Sequence, residues 1–120
     1  MFVNFSNHPS AAWGEEQLHA AQVFGEVKDI AFPNVSPAAD EAEVEVLAQS
    51  CVEQIAALSP ACVMCAGEFS LCFAVTKKLL AQGIKTVCAC TERITEQTIE
   101  KSGEVKKISV FRFIKFREYR

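Results

Sequence analysis

The sequence predicts an α/β fold: one Rossmann-like domain over residues 1–120, a mainly parallel sheet flanked by helices, with antiparallel strands at the C-terminal end. Three observations predict it. The apolar runs at residues 61–66 and 85–90 are unbroken, as in strands buried on both faces. The segments before each run carry apolar residues at helical spacings of three and four. Residues 95–116 instead read as strand, turn and long strand. Alternating units followed by a β-rich tail give parallel pairing first and antiparallel pairing last.

The elements follow in order. Residues 1–6 form a first strand, then residues 14–25 a helix. Leu18, Ala21, Val23 and Phe24 give that helix an apolar side, Glu15 and Glu16 suit its positive end, and Gly25 suits its exit. Residues 26–31 read as a second strand. Residues 32–37, with two prolines, read as a loop. Asp40 caps a helix to about Leu58, with Val44, Leu47, Ala48, Cys51, Val52, Ile55 and Leu58 on its inner side. After the strand at 61–66, a short loop at 67–70 leads into a third helix over 71–82, closed by Gly83. The strand at 85–90 ends in Thr91-Glu92-Arg93. On the last strand, Ile108, Val110, Ile114 and Phe116 are expected on one face and Phe111 and Phe113 on the other. A helix over 93–102 is the alternative for the tail.

Charge and composition narrow the function classes. Half the residues are hydrophobic and 22% are charged, the balance of a globular domain. No apolar run reaches the roughly 20 residues of a membrane helix, and the start lacks the pattern of a signal peptide. A cytoplasmic protein is expected. Residues 1–60 carry nine acidic residues and one lysine, a balance of −8, while residues 61–120 carry six acidic and eleven basic residues, a balance of +5. The basic half can attract an anionic ligand, or it can offset acidic helices or a second subunit. No direct binding of duplex nucleic acid is expected.

Six cysteines stand at 51, 62, 65, 72, 88 and 90. Cys62 and Cys65 lie three apart on a strand, so they point to opposite faces and cannot share one ion without a bulge. Cys88 and Cys90 share a face, but two thiols make half a zinc site. No metal, cofactor or structural disulfide is expected, and the thiols read as small core residues.

Ligands of open α/β sheets bind beyond the strand C-termini, where neighbouring connections leave to opposite faces. Three polar clusters follow apolar strands there: Ser6-Asn7-His8-Pro9-Ser10, Gly67-Glu68-Phe69-Ser70 and Thr91-Glu92-Arg93. With the first strand beside the third, the first two clusters wall one crevice and the last lies next along the edge. Ser6, Asn7, Ser10, Gly67, Phe69, Ser70, Thr91 and Arg93 are the candidate ligand-binding residues. Arg93 can grip a phosphate. A histidine at position 8 can shuttle a proton, and Glu68 can serve as base or nucleophile. Plainer roles stand beside these: a turn and cap at Asn7 and Ser10, an exposed turn at His8, a tight turn at Gly67, a helix start at Glu68, a surface ion pair at Arg93 and a hydrophobic plug at Trp13. The phosphate-binding patterns G-x-G-x-x-G and G-x-x-x-x-G-K-S/T are absent, as is the G-x-S-x-G elbow, which disfavours ordinary dehydrogenases, nucleotide triphosphatases and hydrolases of that type.

The segment Val3-Asn4-Phe5-Ser6-Asn7-His8-Pro9 resembles the opening of several small CRISPR-associated accessory proteins. These are compact relatives of the CARF fold, the Rossmann-like sensor domain for cyclic oligoadenylates. The match covers about seven residues and carries an extra Asn7 before the His-Pro pair; the segment Gly67-Glu68-Phe69-Ser70 fits the family's second ligand loop more loosely. The resemblance implies a role in antiviral defence, with a small anionic nucleotide-type ligand, a cyclic oligonucleotide, bound across a homodimer. Some relatives act as metal-independent ring nucleases, in which a ribose 2′-hydroxyl attacks its own phosphate. Others only bind. By that resemblance Ser6, Asn7 and Arg93 hold phosphates, and His8 or Glu68 handles the proton. Two other classes stay open: a nucleoside N-glycosidase or deoxyribosyltransferase-like enzyme using Glu68, and a non-enzymatic regulatory module.

Overall fold

A computed structural model describes all residues from Met1 to Arg120. Five strands and three helices form an α/β domain. The elements are β1 (Phe2–Ser6), α1 (Glu15–Gln22), β2 (Val27–Ala31), α2 (Glu41–Ala56), β3 (Cys62–Cys65), α3 (Phe69–Ala81), β4 (Thr86–Ile99) and β5 (Val105–Glu118). The sheet order is β2-β1-β3-β4-β5, parallel throughout except for the antiparallel β4–β5 pair. No helix is long and apolar enough to cross a membrane.

The sheet is covered unequally. Alternation along β1 sends Val3 and Phe5 to one face and Phe2, Asn4 and Ser6 to the other. Val3, Phe5, Val63 and Cys65 pack under α2 and α3 in a 13-residue core with Val52, Ile55, Leu71, Val75 and Leu79. On the opposite face only α1 covers the sheet. There Phe2, Ala21, Cys62, Met64 and Val87 form a core of five, sealed by Trp13, Phe24 and Phe116. Cys62 and Cys65 thus lie in different cores, as their spacing on a strand requires.

Caps set the helix boundaries. The Asp40 carboxylate accepts the Glu43 N–H at 2.8 Å and starts α2. Helix α3 starts earlier than expected, at Phe69, because Glu68 serves as its cap and takes Phe69 and Ser70 into the first turn. It ends at Gly83, whose φ of +75° is open to glycine at low cost. The expected helix over 14–25 is shorter: a 3-10 turn at Ser10–Ala12 precedes it.

The tail has the expected order of strand, turn and long antiparallel strand, but its first strand begins earlier than expected. Thr91-Glu92-Arg93 is not a loop at the sheet edge but the middle of β4, which runs unbroken to Ile99. The helical alternative over 93–102 is replaced by this strand and the turn at residues 100–104. Pairing with β5 satisfies the peptide groups on one edge of this segment and extends the strand past the sheet. A bulge between Cys90 and Thr91 inserts one extra residue in β5, Ile114. The parity of the strand changes there. Phe113 and Phe116, three apart in sequence, therefore share a face, with ring centroids 4.9 Å apart. Phe116 joins Phe111 and Phe113 rather than Ile108 and Val110, as the shift in register dictates.

Beyond the bulge the β4–β5 hairpin leaves the body as an arm. The radius of gyration is 17.3 Å, against about 14 Å for a compact chain of this length. Where the body closes on itself, tolerance is small. A Cβ on Gly67 would lie 2.6 Å from the ring of Phe32, and Phe32 is buried against Phe5. Gly67 is thus required by a close approach rather than by a special backbone angle. Gly67→Ala is expected to lower stability by about 1–3 kcal/mol in urea denaturation, and to cost little in a Phe32→Ala background.

Candidate functional site

The polar end of β1 is a structural network. Asn4 is 1% exposed in the middle of a buried strand. Its Nδ2 donates to the His8 carbonyl at 2.8 Å and to Asp29 Oδ1 at 3.1 Å. Its Oδ1 accepts from Ser6 Oγ at 2.6 Å, and Ser6 Oγ in turn accepts the His8 N–H at 3.2 Å. Asp29 Oδ2 accepts the Ser10 N–H, and Trp13 Nε1 donates to the same His8 carbonyl. The hydroxyl of Ser6 and the backbone N–H of Ser10 are thereby engaged within the protein. Sequence reasoning passed over Asn4 and Asp29, although an amide inside an apolar strand is the signal for such a network.

The two loops expected to wall one crevice share no side-chain hydrogen bond, and an aromatic ring packs on the second. Phe32 donates its N–H to the Ser6 carbonyl and lays its side chain against Gly67. Glu68 turns the other way, onto α3. Its carboxylate accepts the Ser70 N–H at 3.0 Å, the Leu71 N–H at 2.8 Å and the Ser70 hydroxyl. These bonds, led by the one from Leu71, hold its carboxyl below the usual range. Glu68 shares no hydrogen bond with Ser6 or Asn7. A carboxylate so engaged is a weak base, and the helix N-terminus it caps has two N–H groups already satisfied. Phe69 projects into solvent, 91% exposed.

A large concavity lies on the thinly covered face. It is a cleft of about 930 Å³ between the start of α1, the C-terminal ends of β3 and the parallel part of β4, and the root of the arm. Trp13, Phe111 and Phe113 supply aromatic walls, Met64 and Ala66 belong to its apolar lining, and His8 and Thr91 stand at it with Gln17. Connections from β1 and β3 depart to opposite faces here, since α1 covers one side and α3 the other. Of the candidate residues, His8 and Thr91 line this cleft, whereas Ser6, Asn7, Ser10, Gly67, Glu68, Phe69, Ser70 and Arg93 do not. Arg93 shares the Thr91 face of the arm, paired opposite Phe111, and donates to Ser109 Oγ at 3.1 Å. The charges at the cleft are mixed. Glu15 and Glu16 at the start of α1 face Arg112, which pairs with Glu92 at 3.5 Å.

The residues 1–117 match the family described as "Uncharacterized protein MJ1673 family". The chain belongs to that family. No curated protein and no solved structure matches it. Its family membership therefore spans the arm as well as the cleft, since residues 1–117 include both.

A second cluster on the α3 side escaped sequence reasoning. Cys65 at the end of β3 and Cys72 in the first turns of α3 place their sulfurs 3.6 Å apart. The Tyr119 hydroxyl donates to the Cys65 carbonyl at 3.2 Å. The thiol of Cys65, donating toward Cys72, lowers the Cys72 pKa to about 6, against the opposing effect of burial. Cys65 is raised by the same pairing and by burial. Cys62, with no such donor, is pushed up to about 11 by burial.

Two outcomes follow. Asn4→Ala leaves Asp29 and the His8 carbonyl short of a donor, and a loss of about 1–3 kcal/mol is expected in urea denaturation. Iodoacetamide should label Cys72 ahead of Cys51 and Cys62 at pH 7, with a rate falling off below pH 6 as the thiolate is protonated. In Cys65→Ala that midpoint should move up toward an ordinary thiol; an unchanged profile, read by peptide mass spectrometry, would show that the pair has no influence.

Proposed function

We propose that the protein binds a cyclic oligonucleotide, of the cyclic oligoadenylate class, in the cleft between α1 and the arm, and does so as a homodimer. The observation that carries this reading is the aromatic-walled cleft of about 930 Å³ at the point where the chain connections diverge. Trp13, Phe111 and Phe113 offer flat faces to bases, and stacking of a base on an aromatic ring is worth about 1–3 kcal/mol. The resemblance of residues 3–9 to the small CRISPR-associated proteins supports the same ligand class. The cleft is not strongly basic, so stacking and shape supply more of the grip than phosphate neutralisation does.

In this reading His8 at the cleft is the proton-handling residue, and Glu68 keeps its capping role. If the ring is opened, the ribose 2′-hydroxyl attacks the neighbouring phosphorus and the 5′-oxygen leaves. His8 then takes the hydroxyl proton or supplies the one the leaving oxygen needs. Arg93, opposite Phe111 on the same side of the arm, is the candidate cation for a phosphate that extends past Phe111. The engaged carboxylate of Glu68 weakens the glycosidase alternative.

Thermal shift with cyclic tri-, tetra- and hexa-adenylate, against nucleosides and NAD, tests the binding. A cyclic oligoadenylate should raise Tm, and Phe111→Ala should weaken its binding about 10- to 100-fold. No shift with any of the three at saturating concentration sinks the reading. Product analysis with His8→Ala then tests ring opening: cleavage at the wild-type rate removes His8 from it.

A further inference from the structure

The arm exposes more than a monomer of this size should. The accessible surface is 7906 Å², whereas a compact chain of 120 residues exposes about 6,400 Å². The excess of about 1,500 Å² exceeds the roughly 800 Å² per partner that an ordinary stable interface removes. Much of the excess is apolar. Ile99, Val105, Ile108, Val110, Phe111 and Ile114 are all exposed on one hairpin. The register puts Ile94 opposite Val110 and Ile108 opposite Glu96, on the side of the arm facing away from the cleft. No element of this chain covers that side.

A matching surface exists on the body. The outer side of the α2–α3 layer exposes Val46, Phe69 and Phe73, with Phe69 and Phe73 one helical turn apart. Phe69 starts α3 and Val46 lies in the first half of α2, so these residues sit at the strand C-terminal end, where the arm departs. The charges complement each other. α2 carries Glu41, Glu43, Glu45 and Glu53 with no basic residue, and α3 adds Lys77 and Lys78, of which Lys78 pairs with Glu45. β5 carries Lys106, Lys107, Arg112, Lys115 and Arg117 against a single Glu118; Lys106 and Arg112 also pair with Glu100 and Glu92 within the hairpin, and Lys107 lies on the cleft side. Like charge on the two β5 edges disfavours their pairing with each other, whereas β5 against α2 brings opposite charges together.

We propose that the arm is the dimerisation element: its Ile94–Ile108–Val110 side packs on the α2–α3 layer of a second copy of this chain, around Phe69 and Phe73. Exchange of arms makes the contact isologous, each copy giving its arm and receiving the other's. The proposal shares with the preceding reading only the second copy, and not the ligand. Both faces of the arm are then used, the outer one for the second copy and the inner one, with Phe111 and Phe113, for the cleft.

Light scattering coupled to size exclusion, at 5 and 100 µM and with no ligand, tests it. The wild type should run at twice the chain mass. Ile108→Glu/Val110→Glu should run at the chain mass with an unchanged circular dichroism spectrum. So should Phe69→Glu/Phe73→Glu, in which all four affected positions across the two variants are exposed and none supports the core. A wild-type monomer at 100 µM overturns the proposal, and so does a dimer that survives either double substitution. Because no ligand is present, these results stand apart from the thermal-shift result.

Discussion

A buried amide governs the functional end of this molecule. Asn4 lies mid-strand in β1, between β2 and β3, where no water reaches it. Its hydrogen-bonding groups must be met from within the protein. The partners that meet them are Ser6 two residues on, Asp29 on the neighbouring strand and the carbonyl of His8. The chain after β1 is consequently folded back over its own strand rather than released to solvent. That fold places Trp13 against Phe2 with centroids 6.2 Å apart, and the start of α1 beside the sheet edge. One wall of the cleft exists because a polar residue was placed where an apolar one would have packed.

The other wall exists because the second face of the sheet is short of helices. Two helices cover β1, β3 and β4 on one side and one covers them on the other. The area α1 leaves bare is partly filled by Phe116 from β5. What remains open lies between α1 and the arm. The cleft is thus a product of topology: a crossover to β2 takes α1 to one face, and both later crossovers return on the opposite face.

Most of the fold was legible because it follows from periodicity. The unbroken run at 61–66 and the spacing of Val44 to Leu58 allow little else. The site was less legible. Ser6, Asn7 and Glu68 were expected together because their loops are adjacent in the topology, and adjacency of loops is what the sequence encodes directly. The packing of the Phe32 ring on Gly67 depends on a long loop whose path no local pattern states. Glu68 fits the rule for a helix start and the rule for a catalytic base or nucleophile equally well; its bonds to Ser70 and Leu71 favour the first. The strand–turn–strand order of the arm was legible, but its root was not, for a related reason. Thr91-Glu92-Arg93 is polar because both sides of the strand leave the body there, and polarity at that point resembles a loop. The sharing of one face by Phe113 and Phe116 depends on a bulge, which the sequence does not announce.

That bulge also partitions the protein for change. On the body side of Cys90, register is tied to buried neighbours, and a residue gained or lost would reverse which side chains meet the core. Past the residues that wall the cleft, the hairpin is held by its own pairing. Lengthening or trimming it by one residue on each strand, at matched positions, would preserve every cross-strand partner nearer the body. The far end of the arm can therefore change in reach while the cleft at its root keeps its shape.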